Sequence, residues 1–165
     1  MSNPRSTASI AGHPIHPMLI PFPVAFFAAT LVCDLAFWRT GNADWATASL
    51  WLLGAGLVMG ALAAIAGLID VLGEPRIRAL REVWWHAGGN VLLVLIQAAS
   101  WYMRYRDGTA AVLPTGLILS AVAVGLIQQY ANYYASSGLG DLAVVLLLAI
   151  VLLLKPEGLA PKVAH

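Results

Sequence analysis

The sequence predicts an all-α polytopic transmembrane bundle of four to five helices, and three observations carry that prediction. Of its 165 residues, 60% are apolar and only 10% are charged, outside the composition of water-soluble domains. Long apolar runs suit a bilayer core of roughly 30 Å, which takes about 20 helical residues to cross. The runs are continuous and do not alternate with period two, which argues against a transmembrane β-barrel.

The elements follow in order. Residues 1–17 form a lead that ends in His13-Pro-Ile-His-Pro17; Pro14, Pro17, Pro21 and Pro23 favour an extended approach to the first helix. Helices are expected at about 18–38, 46–72, 83–103 and 113–134, each nearly free of Asp, Glu, Lys and Arg. No small-residue cleavage site follows the first run, so it reads as a retained helix. The second helix carries Gly56, Gly60 and Ala64 at intervals of four, beside Ala63 and Gly67, spacing that lets backbones approach closely in lipid and places this helix at the centre. It ends at Gly73-Glu-Pro-Arg-Ile-Arg-Ala-Leu-Arg81, where glycine and proline stop the helix and arginines hold the loop in water. A fifth helix is expected at 139–154, although its strictly apolar part, 142–154, is short for a full crossing. Residues 18–154 are thus the bundle and 155–165 a disordered tail that includes His165. Trp38, Trp45, Trp84, Trp85, Trp101 and Tyr102 fall near helix ends, where amphipathic rings anchor in the headgroup layer.

Several function classes drop out. A net charge of +1, without a basic tract, gives no basis for a nucleic-acid partner. Cys33 is the only cysteine, which excludes an intramolecular disulfide, a Cys-X-X-Cys pair and covalent c-type haem attachment. The absence of a P-loop, a His-Glu-x-x-His motif and a Gly-x-Ser-x-Gly elbow argues against a hydrolase or nucleotide-driven pump, and hence against independent enzymatic activity. Connections are short, so any chemistry lies in or beside the bundle. Under the positive-inside rule, four spans give six basic residues against three with the N-terminus inside, and five spans give four against five. The N-terminus accordingly leans cytoplasmic.

Alternate crossings bring the start of helix one, the end of helix two, the start of helix three and the end of helix four to one membrane face. That gathers His13, His16, Asp70, His86, Asn90, Gln128, Gln129 and Asn132. An ionisable group in a membrane segment is costly, so Asp70 should face inward toward a partner, with His86, His13 and His16 the nearest by topology. On helix three, His86, Asn90, Gln97 and Arg104 form a polar seam along one face. At the far face Asp34 can pair with Arg104 or Arg39, as a structural ion pair.

Imidazoles ligate haem and transition metals, and metal-bound histidines are commonly oriented by a second group. In a haem b reading, His86 and one of His13 or His16 are axial ligands. In a transition-metal reading, His13, His16, His86 and Asp70 supply donors to one ion. Asp70, Asn90 and Gln128 would orient those ligands. The alternative is a non-catalytic subunit or scaffold, in which the same His/Asp cluster hydrogen-bonds helix ends. A third reading is proton-coupled transport dependent on Asp70.

The motifs His13-Pro-Ile-His-Pro-Met-Leu-Ile-Pro-Phe-Pro23, Cys33-Asp-Leu35, Gly67-Leu-Ile-Asp70 and His86 followed by Asn90 resemble, in order, the bacterial membrane family called domain of unknown function 2231. The likeness covers about 12–106. Relatives often carry a Gly-Trp-x-Gly-Gly-like segment and a further His-Gly after the fourth helix, whereas this chain has Ser137-Gly-Leu-Gly-Asp141. Some relatives are fused to Rieske-type or cytochrome domains. The resemblance therefore implies a bacterial inner-membrane protein of the lipid bilayer near redox or respiratory partners, with homo-oligomerisation as a further expectation.

Overall fold

The computed structural model describes residues 7–134, with side chains described to Gln129. It is helical throughout apart from a small N-terminal hairpin. Ser9–Ile10 (β1) and His13–Pro14 (β2) pair antiparallel, with Ile10 opposite His13. Ala11 and Gly12 turn the chain at φ 50° and 80°, a pair of positive values suited to two-residue hairpin loops. The lead expected to be extended thus folds back on itself. It then enters a short helix, α1 (Ile15–Leu19).

Four longer helices follow: α2 (Pro21–Thr40), α3 (Ala43–Gly73), α5 (Arg81–Asp107) and α6 (Leu117–Tyr134), with a single turn, α4 (Pro75–Arg78), between α3 and α5. Pro21 and Pro23 stand in the first turn of α2, where a missing N–H leaves no intrahelical bond unmade. Gly41 ends α2 in the left-handed conformation, φ 67°, and its N–H donates to the Phe37 carbonyl. Asn42 caps α3 by accepting the Asp44 N–H at 2.9 Å. Glu74 does the same for α4, accepting the Arg76 N–H and pairing with its guanidinium at 3.2 Å; this holds its carboxyl below the ordinary range. Between α5 and α6 lie a 3-10 turn, Gly108–Ala111, and a π turn, Val112–Gly116, with a cis Leu113–Pro114 bond. That proline-containing bend moves the start of the fourth long helix from the expected 113 to 117.

Three helical stretches are long and apolar enough to cross a membrane: Ile15–Thr40, Ala43–Gly73 and Arg81–Gln129, the last including the bend. Side chains that face away from the bundle are large and apolar, among them Val58, Leu62, Ile65 and Leu92, as a lipid solvent requires. Close packing depends on small residues. A Cβ on Gly56 would lie 2.6 Å from the Phe27 ring, so only glycine lets α2 and α3 meet there.

The chain divides into two compact units, Met1–Val124 and Gly125–His165. The geometry that follows belongs to the first. The expected fifth helix at 139–154, the tail and His165 lie outside the described residues.

Candidate functional site

Two polar clusters stand toward opposite ends of the bundle, because α2 and α5 run in one direction and α3 returns between them. The first surrounds Asp34 on α2 and Arg104 on α5, whose side chains are 0% and 1% exposed. Arg104 Nη1 donates to Asp34 Oδ1 at 2.5 Å and Nη2 to Oδ2 at 2.8 Å, a bidentate fork. Nη1 also donates to Ser49 Oγ, Nη2 to Ser120 Oγ at 3.1 Å, and Nε to Ser100 Oγ at 3.3 Å. All five guanidinium donors therefore have an acceptor. The hydroxyls of Ser49 and Ser120 donate back to Asp34 at 2.6 and 2.7 Å, so each carboxylate oxygen accepts twice. Two charges in so apolar an environment would each lose several kcal/mol of hydration, and only complete pairing offsets that. Arg39, the other expected partner of Asp34, is exposed.

Sequence reasoning missed the three serines. Ser100 had a signal, lying one turn before Arg104 on the same face of α5. Ser49 and Ser120 had none, because nothing in the sequence gives the depth at which α3 and α6 pass the pair. Gly116 was also missed: a Cβ there would lie 2.7 Å from Arg104 Nη2, so glycine makes room for the guanidinium. Nearby, Gln97 on α5 is fully buried and donates from Nε2 to the Leu119 carbonyl at 3.1 Å.

The second cluster contains the histidines. His16 on α1 is half-buried, and its Nδ1 stands 2.7 Å from the Ala63 carbonyl of α3, which makes Nδ1 the protonated nitrogen. Gly67 provides the space: a Cβ there would lie 3.0 Å from that same Nδ1. The His86 ring on α5 meets His16 edge-on with centroids 6.2 Å apart, and its Nε2 is 2.8 Å from the Asn90 amide nitrogen one turn on. Asp70, on the same face of α3 as Ala63 and Gly67, accepts the Ala8 N–H on Oδ1 at 2.7 Å. The backbone amide of Ala8 is thus a partner of Asp70 that the sequence did not suggest. The reason is local: the hairpin folds Ala8 over the end of α3, a contact invisible without the turn at Ala11–Gly12. Ala8 is buried, and Thr7 packs beside Gly73.

His13 is not part of this grouping. It is exposed, and its Nδ1 lies 3.1 Å from the Ala11 carbonyl within the hairpin turn. Among the described residues, no three His, Cys, Asp or Glu side chains stand where they could hold one metal ion. The four-donor set of His13, His16, His86 and Asp70 is thus not assembled. What remains together is His16, His86 and Asn90, with Asp70 fastening the hairpin alongside. Gln128 falls in the second unit of the chain and stays an expectation.

The matched family profile is described as a predicted membrane protein, DUF2231, and it spans residues 12–133, well over half of the chain. The chain belongs to this family. No curated protein and no solved structure matches it. The DUF2231 region takes in the histidines of α1 and α5, Gly67, Asp70 and the whole Asp34–Arg104 network, while Thr7 and Ala8 lie just before it.

Proposed function

We propose that this DUF2231 chain is a non-catalytic integral membrane subunit or scaffold, in which the His/Asp cluster clasps the N-terminal hairpin and α1 onto α3. One observation carries the reading: Asp70, His16 and Asp34 each bond to the fold itself. Asp70 holds the Ala8 amide, His16 holds the Ala63 carbonyl in a space left by Gly67, and Asp34 is saturated by Arg104 and serines. The partners of such a subunit are other membrane proteins, among them respiratory or redox complexes, or further copies of itself. The loop after α3 presents Arg76, Arg78 and Arg81, whereas the opposite connections keep Arg39 and Arg106 once Arg104 is buried in its ion pair. That asymmetry supports a cytoplasmic N-terminal face in a bacterial inner membrane.

The His16–His86 pair favours one second reading, ligation of haem b or a transition metal. Two imidazoles from separate elements stand 6.2 Å apart, and each has a ring nitrogen fixed by a neighbour, as metal-bound histidines commonly do. Absorption spectroscopy and metal analysis of the purified chain decide between them. The scaffold reading expects no Soret band, substoichiometric metal, and His86→Ala protein that still folds. A Soret band, or stoichiometric metal lost in His16→Ala and His86→Ala, overturns it in favour of the second.

A further inference from the structure

Complete pairing around Arg104 makes one exception conspicuous. Gln97, seven residues before Arg104 on the same face of α5, is fully buried, and its Oε1 has no hydrogen-bond partner among the described residues. Turning the amide over does not help, because Nε2 donates to the Leu119 carbonyl and the exchange would set two acceptors against each other. One turn nearer Arg104, Ser100 is also fully buried. Its Oγ accepts from Arg104 Nε, and no acceptor among the described residues takes its hydroxyl proton. The hydroxyl is thus a donor in want of an acceptor, three residues from an acceptor in want of a donor. Side chains at that spacing lie about 5–6 Å apart, roughly two hydrogen-bond lengths.

We infer that Gln97 and Ser100 bind one ordered water molecule inside the bundle. The water accepts from the Ser100 hydroxyl and donates to Gln97 Oε1, so each of the two side chains gains the partner it lacks. Leaving Oε1 unpaired in this setting costs free energy that two good bonds to water recover. Gln97 lies ten residues before the end of α5, about 15 Å along its axis, so the water sits below the interface, deeper than the ion pair. It joins the α5–α6 contact at Leu119 to the saturated Arg104 network.

X-ray hydroxyl-radical footprinting of the full chain in lipid nanodiscs tests this, because radiolysis of a bound water oxidises the side chains beside it. Leu93, buried one turn before Gln97, is the reporter, and Tyr105, exposed beside Arg106 at the end of α5, is the control for bulk water. The expected result is oxidation of Leu93 in the native chain, falling to background in both Ser100→Ala and Gln97→Met while Tyr105 is oxidised equally in all three. Gln97→Met keeps the side-chain length and removes the acceptor, so it reports even if Ser100→Ala disturbs Arg104. Leu93 unoxidised in the native chain, or oxidised equally in both folded variants, overturns the inference.

Discussion

Asp34 and Arg104 show how strongly a single residue can be constrained in this bundle. With Arg104 buried and all of its donors engaged, Asp34→Ala leaves a cation without a counter-charge. Such removals cost about 3–5 kcal/mol. Unfolding of the purified chain in mild detergent is the measurement, and the midpoint should fall sharply. The double replacement Asp34→Leu with Arg104→Met removes both charges together and is expected to cost less than Asp34→Ala alone. A neutral Asp34→Ala would mean that the pair contributes little. At this scale the sequence was partly legible: an acidic residue near the end of one apolar helix and an arginine near the end of another form a short list of partners, because lone charges are expensive in lipid. The serines were not legible, since a hydroxyl on an apolar helix is equally compatible with bonding its own backbone one turn back, as Thr30 does.

Among the elements, α3 is the one to which the others are fitted, and its glycines divide by what they face. Gly56 admits the Phe27 ring of α2, and Gly67 admits the His16 imidazole of α1. A Cβ on Gly88 of α5, by contrast, would meet nothing within 4 Å. Gly67→Ala should therefore destabilise the chain by about 1–3 kcal/mol by pushing His16 off the Ala63 carbonyl. Gly88→Ala should be neutral or stabilising by up to about 1 kcal/mol, as helix propensity alone dictates. Thermal melts of the two variants side by side check the contrast, and equal effects would contradict it. The small-residue spacing of α3 was visible in the sequence, and so was its central place. Which glycine meets which partner was not, because that depends on how far the hairpin and α1 reach along α3. For the same reason His13 and His16, three residues apart, read as equivalent although only His16 turns toward the bundle.

At the scale of the whole molecule, apolar length and composition predicted the all-α membrane bundle, since few folds bury backbone polar groups in lipid. The fine course of the N-terminal lead and of the bend at Gly108–Gly116 depended on local turns that hydropathy does not register. Sidedness is open to direct measurement. In a Cys33→Ala background, Arg78→Cys and Arg106→Cys should react with a membrane-impermeant maleimide from opposite faces, Arg78→Cys from the cytoplasmic one. Labelling of Arg78→Cys from intact cells would reverse the proposed orientation. The claim that the histidine-bearing cluster serves to fasten the N-terminal segment is tested most directly by amide hydrogen exchange over residues 7–20, comparing the native chain with Asp70→Ala. The clasp predicts that Ala8 and its neighbours are protected in the native chain and exchange rapidly in the variant, with α2, α3 and α5 unchanged. Equal exchange of residues 7–20 in the two proteins would contradict it.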